Sequence, residues 1–126
     1  MKDKISIRPE ILGINKVDNI SDVAYFQNIT LRSIIKLQHQ LLIAFYKEYL
    51  KSRKTDFNTT SNEKAILFIE NSLVKDNRLK NKLLGLIIGL FAVEEYKVYV
   101  ENSSEINKRI FSIVKKRLTD SLLELR

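Results

Sequence analysis

A chain of 126 residues is the length of one compact domain, long enough to bury a core without a disulfide or a metal. With no Cys and one His, disulfide scaffolds and thiolate metal sites are excluded. The net charge of +7 points to a polyanionic partner only where cations cluster. A chain rich in Lys, Asn and Ile can gain such a charge from nucleotide bias in its coding sequence.

The first residues lack the apolar run of a secretory leader, so a cytoplasmic location is expected. Residues 1–20 read as a short N-terminal arm and loop. Ile5 and Ile7 alternate with polar residues, Pro9 ends the extended piece, and Gly13, Asn15, Asp18 and Asn19 carry loop chemistry. Ser21 then opens a short turn.

Thr30 is the expected N-cap of a long helix over 31–53. Ile34, Ile35, Leu41, Leu42, Phe45, Tyr46 and Tyr49 share its apolar arc, while Lys36, Gln40, Lys47 and Lys51 fall opposite. Gln38 lands inside the apolar arc. A buried amide without partners costs a few kcal/mol, so Gln38 is expected to bond across to another helix.

Thr60 and Glu63 fit a capping box that opens a second helix over 61–74, with Ile66, Ile69 and Leu73 facing inward. Asp76 is placed to cap a third helix over 77–100. From 83 to 93 this helix has eleven consecutive residues without a charged or hydrogen-bonding side chain. A helix apolar all round is either central or in a membrane, and a crossing needs about 20 such residues, so a central core helix is expected. Gly85, Gly89 and Ala92 lie within about 60° of one another on it. Each Gly inside a helix costs about 1 kcal/mol relative to Ala. Close approach of a second helix, from the same bundle or from a second copy, would compensate; a break at one glycine is the remaining reading.

Ser103 or Ser104 caps a fourth helix over 105–125. Its apolar half holds Ile106, Ile110, Phe111, Ile113, Val114, Leu118, Leu122 and Leu125. Lys108, Arg109, Lys115 and Lys116 gather on the other half, a basic stripe of the kind that follows a phosphate backbone without reading bases. The whole chain thus reads as an all-α, single-domain antiparallel four-helix bundle over 1–126.

Chemistry-bearing motifs are sparse. No Glu-x-x-His pair suits a di-iron site, and Glu94 and Glu95 diverge around their helix. Glu94, Glu101 and Glu105 read as a solvated acidic strip. No phosphate loop, dinucleotide fingerprint or nucleophile elbow is present, so no cofactor, metal or small-molecule ligand is expected. Arg32 and His39 share a face, and their Arg-x6-His spacing resembles the Arg-x4–6-His motif of the HEPN superfamily. That resemblance implies an all-helical domain in which Arg32 and His39 act together on an RNA phosphodiester, commonly across a dimer interface.

The sequence therefore favours a small non-enzymatic helical protein that acts by association with itself or another protein. A basic nucleic-acid-binding domain is the alternative, with a HEPN-like ribonuclease as its enzymatic variant.

Overall fold

The computed structural model describes residues 26–126 and, before them, Ile7 alone. The expected arm over 1–20 and the turn opening at Ser21 lie outside the described residues. The described chain is all helical. A π-helical turn Phe26–Leu31 runs into α1 (Arg32–Leu37) and α2 (His39–Ser52). A 3-10 turn Phe57–Thr59 leads to α3 (Asn62–Lys75) and α4 (Asn77–Ile88). There follow α5 (Val93–Glu101), α6 (Ser103–Thr119) and α7 (Leu122–Leu125).

The hub is α6. Ile106, Ile110, Val114 and Leu118 recur every fourth residue, so they form one continuous ridge, and each is at most 1% exposed. Burying such a side chain stabilises by about 1.5–3 kcal/mol. Around this ridge α6 touches the π-helical turn, α1, α3, α4, α5 and α7. The long apolar run at 79–100 contributes Leu79, Leu83, Ile87, Phe91 and Val98 to the same core, but it is one wall of it and not the axis.

Three of the expected long helices are interrupted, the first two with a visible local reason. The first departs from helical geometry at Gln38 (φ −88°, ψ 8°), between α1 and α2. There the Gln38 Nε2 amide donates to the Leu86 carbonyl at 3.0 Å. Leu86 lies in the last turn of α4, where carbonyls lack intrahelical donors. The polar side chain in the apolar arc thus caps a neighbouring helix.

The second interruption corrects the expected helix over 77–100. It stops at Ile88 and restarts at Val93, with Gly89 as the C-cap and Ala92 extended. The break turns Phe91 into the core, edge-on to Phe26 at 5.4 Å between ring centroids and 5.7 Å from Tyr99. Glu95 Oε1 accepts the Ala92 N–H at 2.8 Å, supplying one of the partners that a new helix start needs. The fourth expected helix is likewise divided, at Asp120 and Ser121, into α6 and α7.

The glycines mark this break and do not lie under a packed helix. A Cβ at Gly85 would meet nothing within 4 Å, and one at Gly89 would meet only the Gly85 carbonyl oxygen at 3.0 Å. Among the described residues, then, no helix packs on Gly85, and the chain breaks at Gly89; packing of Gly85, Gly89 and Ala92 against a second copy is a separate expectation. The caps are shifted as well. Ser61, and not Thr60, caps α3 by accepting the Lys64 N–H, while Thr60 donates to the Asp56 carbonyl. Asp76 caps α4 through the Leu79 N–H at 3.1 Å. That bond, helped by the Tyr49 hydroxyl and the Arg53 guanidinium, lowers the Asp76 carboxyl to about 2.

Candidate nucleic-acid interface

Helix α6 presents its outer face beside the exposed side of α1. Arg109, Ser112, Lys116 and Asp120 recur at three- and four-residue intervals, so they stand in a row along α6. Arg117 and Ser121 form the next row, closer to the core, and Arg32 reaches over from α1. Together with Ile113 these residues line a surface cleft of about 300 Å³. Among the described residues, four cations and one carboxylate border it. The carboxylate, Asp120, lies 3.1 Å from the Lys116 ammonium and offsets part of that charge. Arg32 makes no ion pair among the described residues, and its guanidinium is exposed.

The His39 imidazole sits behind Arg117. Arg117 Nη1 lies 3.1 Å from His39 Nδ1, and His39 Nε2 lies 2.6 Å from Glu124 Oε2. A guanidinium can only donate, so Nδ1 accepts and Nε2 carries the hydrogen that goes to Glu124. Both ring nitrogens are thereby engaged within the protein. Arg32 and His39, paired by the HEPN resemblance, take different places: Arg32 lines the cleft, and His39 bonds to Arg117, which lines it as well.

The stripe of Lys108, Arg109, Lys115 and Lys116 is exposed along its whole length. The cleft divides it. Arg109 and Lys116 line the opening, while Lys108 and Lys115 lie about 100° around the helix from them. Lys115 Nζ instead comes within 4.0 Å of Glu70 on α3. Sequence reasoning missed Arg117, because it falls inside the apolar half, between Ile106 and Ile110 on the wheel. The available signal was its i+8 spacing from Arg109 together with Arg32 on another helix.

Larger clefts of about 490 and 420 Å³ flank Tyr49, Arg53 and Asp76. Their central groups are already bonded to one another: Asp76 Oδ2 accepts from Tyr49 at 2.8 Å and from Arg53 at 2.6 Å. Volume alone therefore does not mark a site here. Glu94, Glu101 and Glu105 are exposed, and among the described residues no group of His, Asp or Glu is arranged to hold a metal ion. No helix among them is long and apolar enough to cross a membrane. Gln38 is committed to Leu86, and Gly85, Gly89 and Ala92 line none of these clefts. Compared with known proteins, the chain matches no family model, no curated protein and no solved structure.

Proposed function

We propose that this protein binds nucleic acid through the phosphate backbone, with the cleft of Arg32, Arg109, Lys116 and Arg117 as its contact surface. The observation that carries this reading is the convergence on one cleft of four cations with, among the described residues that line it, a single carboxylate. Arg outnumbers Lys there three to one, although the chain as a whole has fifteen Lys and seven Arg. A bias that enriches Lys does not produce that local excess. Arg is also the side chain whose planar fork fits a phosphate through two parallel hydrogen bonds.

Among the described residues that line the cleft none is aromatic, so the proposed contact is to the phosphate backbone and independent of sequence. The role is that of a binder acting in the cytoplasm. Catalysis by Arg32 and His39 is not part of the proposal, since the imidazole nitrogens are occupied by Arg117 and Glu124. The same reading treats the described helices as four rods of an antiparallel bundle: α1–α2, α3, α4–α5 and α6–α7.

A second reading, association with a second copy of the chain, is favoured by α5. Val93, Tyr96 and Val100 form a stripe on its outer face and are 67%, 49% and 56% exposed. One experiment separates the two. In a titration of ¹⁵N-labelled protein with duplex RNA at about 50 mM salt, amide shifts should gather at Arg32, Arg109, Ser112 and Arg117. Shifts confined to Val93, Tyr96 and Val100, growing with protein concentration alone, would replace the first reading by the second. Silence at the cleft throughout would retire nucleic-acid binding.

A further inference from the structure

We infer that His39 and Glu124 are positioning residues for the phosphate site, setting the direction in which Arg117 presents its guanidinium. This rests on the nucleic-acid reading of the cleft and adds to it two residues that do not line the opening.

The geometry has three links. Glu124 on α7 accepts from His39 Nε2 at 2.6 Å, which fixes the imidazole and its tautomer. His39 Nδ1 then accepts from Arg117 Nη1 at 3.1 Å. Among the described cations of the cleft, Arg117 is half-buried while Arg32, Arg109 and Lys116 are exposed. A guanidinium held through one terminal nitrogen keeps its remaining N–H groups in a defined plane, and Arg117 lines the cleft whereas His39 does not. An unheld arginine would have to order a long side chain on binding, which weakens affinity without changing the charge.

The elements explain why these groups meet. The Gln38 side chain reaches across to cap α4, and α2 begins at the next residue, His39. The separation of α7 from α6 at Asp120 and Ser121 redirects the chain and carries Glu124 to the other side of the same imidazole. Two helix breaks thus deliver the two outer links of one chain of hydrogen bonds.

A positioning role and a charge role separate in the salt dependence of binding. The slope of log affinity against log salt counts neutralised phosphates, whereas its height also reports how well the contacts are pre-set. With a fluorescein-labelled RNA duplex as probe, His39→Ala should bind about five- to tenfold more weakly than the wild type at an unchanged slope. Arg117→Ala should flatten the slope by about 1. His39→Gln, whose amide offers one acceptor and one donor, should recover most of the lost affinity. Circular dichroism of each variant establishes that the helices are retained. Wild-type affinity in His39→Ala, or no recovery in a folded His39→Gln, would overturn the positioning role alone. No salt-dependent binding by the wild type would overturn the nucleic-acid reading and this inference with it.

Discussion

Tyr46 is fully buried, yet it carries a hydroxyl into the core. Ser72 Oγ donates to the Ile69 carbonyl at 2.8 Å, which leaves it free to accept the Tyr46 O–H at 2.7 Å. Burial also drives the Tyr46 phenol well above its ordinary range, so it stays protonated and remains a donor. Ser72→Ala should cost about 1–3 kcal/mol, because it strands that donor away from water. Tyr46→Phe should cost less, about 0.5–1.5 kcal/mol, and Ser72→Ala added to it should cost little more. Urea denaturation of the four proteins measures the coupling; strictly additive costs would mean that the hydroxyl finds another partner. The sequence makes Tyr46 legible as core through its place in an apolar arc. Ser72 is not legible, because a serine next to Asn71 looks solvated until its partner 26 residues away is known. Asp76 divides the same way: its cap on α4 is local and readable, while its bonds to Tyr49 and Arg53 come from a different helix.

At the scale of elements, periodicity identifies helical segments well and their interruptions poorly. The eleven-residue apolar run at 83–93 was expected to be continuous, yet it breaks after Ile88. The break turns Phe91 against Phe26 and Tyr99, and nothing in the run itself announces that. The glycines were the visible signal, and they admitted both a close helix contact and a break. The two accounts differ at Gly85, which sits inside α4 and faces open space. Gly85→Ala should stabilise the protein by about 0.5–1 kcal/mol through helix propensity and a less flexible unfolded chain. A thermal melt tests this directly. Destabilisation would restore a close contact at that position, supplied by a second copy.

At the scale of the whole molecule, the last long helix serves as both core axis and candidate interface. Its buried ridge of Ile106, Ile110, Val114 and Leu118 fixes its rotation, and that rotation sets which cations meet α1. The basic character of this helix was legible in its sequence. The particular four cations were not, because Arg32 joins them only through the packing of α1 on α6. The nucleic-acid reading is proposed from that convergence, whereas the sequence alone favours association. Its central claim is that charge at the cleft, and not charge in general, binds phosphate. The direct test is the salt dependence of duplex RNA binding for the wild type and for two charge-reversal pairs. The wild type should give a log–log slope of about −2 to −3, as four cations partly offset by Asp120 require. Arg32→Glu with Arg109→Glu should nearly abolish binding, while Lys108→Glu with Lys115→Glu, off the cleft, should leave most of it. Equal losses from the two pairs, or a wild-type slope near zero, would contradict the account.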